Sequence, residues 1–486
     1  MTTLLKSIPS DPDTAPATRR TPPVWLALLA ASLPMFMATL DNLVMTGALP
    51  VLSADLAPTV EQRQWFVNAY TLAFATGMIP AAILGDRVGR RTVFLAGVTI
   101  FTLASIASAM SGSADQLIAA RAVQGIGASA ILPLSLTLLA DAVPPARRPM
   151  AIGIWGGVSG LGIALGPLIG GAVVEGLSWQ SIFWLNVPVA AVAVPLILIG
   201  LRNARGRRQR LDLFGVLAAG GGILLGVWAI VDANDRGWTD PLILAMLGSA
   251  AILLVLFVFR QRRTASPLVP LALYRVRSFT AANVTGFAFS LGMFGAVFLL
   301  TQFLQVAQGF TPLEAGVRTL PWTAAPMLVA PVAGALAGRV GVRVLATTGL
   351  ALQTVAMAWL AWGVAADPGA YTTLVPAFVL AGVGMGLTFA PLSTAVLADV
   401  SERDRASASS VNSTVREVGV ALGVAVLTAV FLGAGGGFDP QTYADGLVAA
   451  LVVGSGVLAI ATVAGLFLPR RAATGPEQAE LATAEA

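Results

Sequence analysis

The chain has 486 residues, of which 56% are hydrophobic and 11% are charged, and its mean hydropathy is +0.82. Soluble globular proteins carry about 25% charged residues, so this composition indicates a polytopic helical membrane protein. The apolar runs are continuous rather than alternating, which excludes a transmembrane β-barrel. The net charge of +5 comes from short loops between apolar runs, so it does not indicate binding to nucleic acid.

The chain contains neither cysteine nor histidine. This excludes disulfides, thiolate or imidazole metal sites and histidine-based catalysis. Motifs for nucleotide binding or hydrolysis are also missing, so we predict no enzymatic activity, no catalytic residues, no metal and no cofactor. Any active transport would have to be driven by an ion gradient, and any proton-coupled step would have to use carboxylates.

Fourteen apolar runs are long enough to cross a bilayer, which requires about 20 residues. They are 24–50, 64–84, 92–111, 116–141, 149–174, 182–201, 212–231, 241–259, 279–305, 315–337, 344–364, 371–397, 406–432 and 446–468. Arginines concentrate in alternate loops, so the positive-inside tendency places both termini in the cytoplasm. The use of arginine in place of lysine, together with abundant alanine, indicates a GC-rich bacterial genome. We therefore predict a multi-pass protein of the bacterial cytoplasmic (inner) membrane.

Segments of the two halves match at a nearly constant offset. Residues 82–91 match 334–343, residues 133–141 match 391–399, and residues 162–166 match 419–423. Such repeats are typical of transporters built from two related halves. We therefore predict an all-α membrane fold of two six-helix halves with two inserted helices. The predicted parts are a disordered cytoplasmic tail 1–23, a half 24–202, the inserted pair 203–264, a half 265–468 and a tail 469–486.

Asp41 and Arg121 are charged residues predicted to lie in the outer half of the membrane. A charge at mid-bilayer costs at least about 2.5–3.5 kcal/mol, so it indicates a functional site. Burial favours a neutral carboxyl and a nearby arginine favours the carboxylate, so Asp41 is a candidate proton carrier with Arg121 as its partner. The alternative is a static ion pair that joins two helices.

Arg416 and Glu417 lie about ten residues into their predicted helix, roughly 15 Å deep at about 1.5 Å per residue. Neighbouring residues on a helix point about 100° apart, so the two side chains cannot pair well with each other. Glu417 is the second candidate proton site, with Arg416 beside it. The alternative is a structural hydrogen bond at a helix crossing.

Two further segments are candidates for gating. In 162–171, the glycines at positions 162, 166 and 170 are four residues apart, which favours close helix packing, and Pro167 predicts a bend. In 85–91, Asp86 is predicted either to cap the next helix or to bridge to a basic group. The alternative is that the arginines of this loop only keep the loop on the cytoplasmic side of the membrane. The gating candidates are Asp86, Arg87, Gly89, Arg90, Gly162, Gly166, Pro167 and Gly170.

Large aromatic residues within the predicted helices are candidates for lining a substrate cavity together with Asp41. They are Trp65, Tyr70, Trp155, Phe294, Trp322 and Phe389. For any one of them, lipid contact or core packing is the alternative.

The residues located above resemble the motifs of the major facilitator superfamily, specifically its fourteen-helix drug:proton antiporters of the EmrB/QacA type. The resemblance covers about residues 24–468. The motifs that carry it are the loop 85–91, the segment 121–127 beginning with Arg121, the segment 162–171 with Pro167, residues 40–50 around Asp41, residues 179–188 with Asn186, and residues 305–321.

The resemblance implies a proton-coupled multidrug exporter that works by alternating access, with Arg121 taking part in proton coupling. Its partners would be protons, the lipid bilayer and a small amphiphilic substrate, and it would function as a monomer. No acidic residue lies in 315–337, where relatives that handle divalent cations have one, so monovalent cations or neutral compounds are expected. The alternatives are dedicated export of one metabolite or self-made antibiotic, and a membrane sensor or scaffold that transports nothing.

Overall fold

The structure is a computed structural model that describes residues 23–144, 147–206, 212–264, 267–401, 404–437, 439–440 and 442–470. The predicted tails lie outside these residues, apart from residues 23 and 469–470. The helices are α1 Val24–Leu56, α2 Val60–Val88, α3 Arg90–Ala109, α4 Ala114–Ala142, α5 Arg148–Gly176, α6 Ser181–Trp184, α7 Asn186–Gly200, α8 Leu213–Arg236, α9 Pro241–Arg263, α10 Arg277–Val306, α11 Pro312–Thr323, α12 Ala325–Val340, α13 Val342–Ala366, α14 Tyr371–Leu397, α15 Arg405–Gly433 and α16 Tyr443–Gly465.

Thirteen helical stretches among the described residues are long and apolar enough to cross a membrane. Helices α6 and α7 together form one stretch, and α11 and α12 together form another. Helix α5 adds a further helix of 29 residues. The predicted all-helical membrane fold is confirmed, and the helix count is consistent with fourteen membrane passes.

Two runs that the sequence predicts as single helices are interrupted. The run 182–201 forms α6 and α7, and the run 315–337 forms parts of α11 and α12. Pro188 lies in the first turn of α7, and Pro326 lies in the first turn of α12. Proline has no backbone N–H and disfavours a helical conformation at the preceding residue, so it suits the first turn of a new helix.

The inserted helix α8 packs against both halves of the protein. Val227 and Val231 of α8 form one buried cluster with Leu72 of α2 and with Ala421 and Ala425 of α15. Helix α9 packs on α8 and presents most of its apolar side chains outward. The inserted pair therefore lies over the seam between α2 of the first half and α15 of the second.

The two halves also meet at the ends of α5 and α11 that the predicted topology places outside. The carboxylate of Glu175 accepts a hydrogen bond from the Leu313 backbone N–H, with an N–O distance of 3.0 Å. Gly171 lies against the backbone of Pro312, and Gly316 lies against the backbone of Pro167. These contacts leave no room for larger residues, so these ends of α5 and α11 are closed against each other in this structure.

Candidate functional site

The Asp41 carboxylate is the centre of a buried polar cluster in the first half. Its Oδ2 atom forms an ion pair with Nη1 of Arg121, and the two side chains are 2% and 0% exposed. Its Oδ1 atom accepts hydrogen bonds from Nε2 of Gln124 and Nδ2 of Asn186, each at 2.9 Å. Helices α1, α4 and α7 thus each contribute to one carboxylate, which we call the Asp41 site.

Arg121 is held on several sides. Its Nε donates to the Phe66 carbonyl at 3.1 Å, and its Nη1 donates to Oε1 of Gln124 at 2.8 Å. The guanidinium carbon lies 4.3 Å from the centre of the Tyr70 ring, which is a cation–π contact. The Tyr70 hydroxyl in turn donates to the Ala38 carbonyl at 3.1 Å. The charge of Arg121 is therefore positioned by α2 as well as by Asp41.

Asn186 and Gln124 are the functional candidates that the sequence reasoning missed. A neutral amide does not stand out by charge, although Gln124 lies three residues after Arg121 and so shares its helix face. Asn186 follows a helix break, and nothing in the local sequence shows that it meets Asp41. It also donates to Oγ of Ser105 at 2.9 Å, which fixes its orientation.

Arg416 and Glu417 lie on α15 and form no ion pair with each other among the described residues. The guanidinium carbon of Arg416 lies 4.1 Å from the centre of the Phe389 ring. Oε2 of Glu417 is buried and has no hydrogen-bond partner within the described part of the chain. Glu417 is close enough to Tyr70 for the two to interact electrostatically. Tyr70 is therefore near Glu417 as well as part of the Asp41 site.

The predicted cavity aromatics take different positions in the structure. Phe294 and Phe389 flank Phe289, with ring centres 6.4 and 6.2 Å away, and this group lies beside Arg416. Trp155 is partly buried, and its indole N–H donates to Ser135 at 3.1 Å.

Three of the other aromatics pack against other side chains in this structure, and their role in lining a cavity stays a prediction. Trp322 is 2% exposed and stacks on Phe378 within the second half. Tyr70 is 1% exposed and belongs to the Asp41 site. Trp65 packs edge-to-face on Trp228 of the inserted helix α8. In each case another large ring or a charge lies against the aromatic side chain.

The loop between α2 and α3 forms a cluster of charges at the end of these helices that the predicted topology places in the cytoplasm. Arg90 donates from Nε to Asp86 at 2.8 Å and from Nη1 to Asp141 of α4 at 2.7 Å. Asp86 does not cap α3, since the N-cap residue is Gly89, which has no side chain to accept a hydrogen bond from the first turn. Gly89 has φ of 134°, a conformation that favours glycine. Arg87 is exposed.

The glycines of α5 pack against α1, as the small-residue spacing predicts. A Cβ atom at Gly166 would lie 2.7 Å from Cβ of Leu43, and one at Gly170 would lie 3.0 Å from Val44. Gly162 packs against Thr39, which also lies on α1. Helix α5 continues through Pro167 without interruption. Its glycine face therefore belongs to the packing of the first half, and the residues around Pro167 contact the second half.

The sequence pattern of the Major Facilitator Superfamily matches residues 31–424 and 282–485. The chain belongs to the major facilitator superfamily. It is 35% identical over 407 residues to the multidrug resistance protein Stp of Mycobacterium tuberculosis (strain CDC 1551 / Oshkosh), covering 83% of this chain and 75% of that protein. It is 33% identical over 423 residues to the tetracenomycin C resistance and export protein of Streptomyces glaucescens, covering 87% and 78%.

A solved transporter of the POT family in complex with 5-aminolevulinic acid has the same fold as this chain. The TM-score is 0.69 at 15% sequence identity, and the match covers 91% of this chain and 95% of the other. At this identity the similarity concerns the fold alone. The chain is therefore a multi-pass membrane transporter of the major facilitator superfamily.

The ion pairs that Arg90 forms with Asp86 and Asp141 are expected to stabilise the protein. We expect Arg90→Gln to lower the free energy of unfolding in detergent by about 1 kcal/mol, because two partly exposed ion pairs are lost. Arg87→Gln is the matched control, since Arg87 is exposed on the same loop. Thermal unfolding of the purified variants measures the difference. Equal midpoints for both variants would show that the cluster adds no stability.

Proposed function

We propose that this transporter is a proton-coupled multidrug exporter. The observation that carries the proposal is a carboxylate, Asp41, buried at membrane depth in an ion pair with Arg121. Buried intramembrane carboxylates are typical of proton relays. The names of the relatives, a multidrug resistance protein and an antibiotic export protein, support the direction and the type of substrate.

The proposed mechanism is alternating access. With the outer ends closed, an amphiphilic substrate enters between the halves from the cytoplasm or the inner leaflet. The halves then rock so that the outer ends separate. Proton uptake at Asp41 or Glu417 promotes substrate release, and proton release to the cytoplasm resets the transporter. Arg121 and Arg416 act as the fixed charges against which these carboxyls change protonation.

Neutral or monocationic amphiphiles are the proposed substrates. The Phe289–Phe294–Phe389 group offers apolar and aromatic surface. Helix α12 contributes no carboxylate among its residues. Without a carboxylate on this helix, no group there would balance the second charge of a dication. We further propose that the transporter acts as a monomer in a bacterial inner membrane, with both termini in the cytoplasm.

Dedicated export of one metabolite is the second candidate function. It is favoured by the similarity to an antibiotic export protein of Streptomyces glaucescens. The two candidates differ in substrate range, which is measured with a susceptibility panel of unrelated drugs in a pump-deficient host. Resistance to several chemical classes supports multidrug export, and resistance to one compound supports the dedicated exporter.

The coupling itself is tested with purified protein in vesicles that carry an imposed pH difference. We expect ethidium, a planar monocation, to accumulate on the acidic side, because each exported cation exchanges for protons. Dissipating the gradient with a protonophore is expected to abolish accumulation. Ethidium movement that is insensitive to the pH difference would overturn proton coupling.

A further inference from the structure

Two amide side chains of α2, Gln64 and Asn68, are fully buried without partners. Both residues are 0% exposed, and neither the nitrogen nor the oxygen of either amide has a hydrogen-bond partner within the described part of the chain. Buried polar groups are nearly always hydrogen-bonded, since leaving them unpaired is costly. Four such atoms one helical turn apart therefore indicate a function other than packing.

The two amides lie on the stripe of α2 that faces α15. Gln64, Asn68 and Leu72 are spaced four residues apart and so follow one face of the helix. Leu72 packs against Ala421 and Ala425 of α15. Because α2 and α15 run in opposite directions, the amides lie beside the outer part of α15. We call this contact the outer seam.

Helix α15 adds unpaired polar groups along the same seam. Oγ1 of Thr428, one turn outward from Ala425, is buried without a partner, and so is Oε2 of Glu417, one turn inward from Ala421. The seam thus has unpaired polar groups on both helices, and Glu417 lies at its inner end. None of these groups belongs to the Asp41 site, which is built from α1, α4 and α7.

The outer end of the seam is acidic. Glu61, in the first turn of α2, lies close enough to Asp232 and Asp235 of α8 for their carboxyl groups to interact electrostatically. Arg236 pairs with Asp232 of this group at 2.8 Å, while Arg63 interacts with Tyr443 of α16, so three carboxyl groups face one paired arginine. This end of the seam is therefore suited to collecting protons.

We propose that the outer seam is the route by which external protons reach Glu417. When the outer ends separate, water enters between α2 and α15 and is ordered by the amides of Gln64 and Asn68 and the hydroxyl of Thr428. A proton then passes along this water from the acidic end to the Glu417 carboxylate, and the amides themselves do not change protonation. Closing the outer ends buries the amides and interrupts the route.

The proposal rests on the proposed proton coupling and also gives the inserted helices a role. Helix α8 supplies Asp232 and Asp235, and its apolar residues cover the seam from the lipid side. A seam open to lipid would not hold ordered water. The inserted pair is thereby part of the proton pathway rather than an addition to the surface.

The test compares two transport modes in vesicles with ethidium as the probe. Uptake driven by a pH difference requires proton delivery, whereas exchange of ethidium for ethidium requires only the movement of the loaded halves. We expect Asn68→Leu and Gln64→Leu each to slow the gradient-driven rate about tenfold, with the exchange rate unchanged within twofold. Asn68→Ser, which keeps a group that can order water, is expected to recover most of the driven rate.

Thr71→Val is the matched control. Thr71 is equally buried on α2, but its hydroxyl is satisfied by the Val67 carbonyl of its own helix at 3.0 Å. This variant should keep both rates. In a Glu417→Gln background, Asn68→Leu should have no further effect on the driven rate, because the route then ends at a group that takes up no proton.

Three outcomes overturn parts of this account. If Asn68→Leu slows exchange as much as driven uptake, the amides act on the movement of the halves and the proton route is wrong. If Asn68→Leu and the smaller change Thr428→Val both leave the driven rate at the wild-type value, the seam carries no protons. If the wild type shows no gradient-driven uptake at all, the proposed proton coupling is wrong, and the inference falls with it.

Discussion

Asp41→Asn is expected to abolish transport driven by a pH difference. The substitution removes the proton acceptor and leaves the buried charge of Arg121 without its counter-ion. Breaking a buried ion pair from one side costs about 3–5 kcal/mol. Uptake of ethidium into vesicles measures the loss of transport, and thermal unfolding measures the loss of stability. We expect a driven rate at background level and a clearly lower unfolding midpoint.

Asp55→Asn is the matched control for this experiment. Asp55 lies on the same helix, and its carboxylate accepts a hydrogen bond from the Trp179 indole at 2.6 Å. It is exposed at the outer end of α1 and has no arginine partner among the described salt bridges. We expect this variant to transport at a rate close to that of the wild type.

A double variant separates the proton carrier from the static ion pair. Asp41→Asn combined with Arg121→Gln removes both charges, so no uncompensated charge remains in the membrane. If the pair is only structural, the double variant regains both stability and transport. If Asp41 carries protons, stability recovers while gradient-driven uptake stays absent. Recovery of driven uptake would therefore refute the proton role of Asp41.

Gly171→Ala is expected to prevent closure of the outer ends. A Cβ atom at this position would meet the Pro312 backbone and would lie 2.8 Å from Cα of Leu313. Backbone atoms cannot move aside as a flexible side chain can, and overpacking of this kind costs about 1–3 kcal/mol. The cost falls only on the closed conformation, so the population shifts toward the one with separated outer ends by roughly 5- to 150-fold.

The shift is measured with a thiol reagent that cannot cross the membrane. The chain has no cysteine, so a single Thr319→Cys change provides a reporter without background. Thr319 is 4% exposed on α11, one turn from Gly316, which contacts α5. We expect Gly171→Ala to speed labelling from outside and to slow ethidium transport.

Gly176→Ala is the control for the closure experiment. Gly176 lies on the same helix, five positions further along, and a Cβ atom there would meet nothing within 4 Å. It tests the loss of a glycine without the steric conflict, so labelling and transport should remain at wild-type values. If Gly171→Ala labels no faster than Gly176→Ala, the α5–α11 contact does not control access from outside.

The small residues of α5 show how far a local pattern can be interpreted. Their spacing predicts a close helix contact, and the structure contains one, with α1 as the partner. The spacing did not indicate that Gly171, on another side of α5, lies against α11 of the other half. That second contact joins the two halves at their outer ends, so it decides which conformation the molecule adopts.

The sequence by itself determined the membrane class, the helical runs and the presence of charges at membrane depth. These follow from local composition, because a bilayer requires about 20 consecutive apolar residues and penalises every buried charge. The sequence also showed that segments of one half are repeated in the other half. Apart from the repeat, each of these properties depends on residues close together in the chain.

Only the tertiary structure decided which side chains meet. Asn186 reaches Asp41 across 145 positions of the chain, and α8 lies over the seam between α2 and α15. In lipid, one apolar helix surface resembles another, so helix partners are selected by shape, small residues and a few polar contacts. Such complementarity exists only between packed helices. The Asp41 site and the unpaired amides of the outer seam therefore became visible only in the fold.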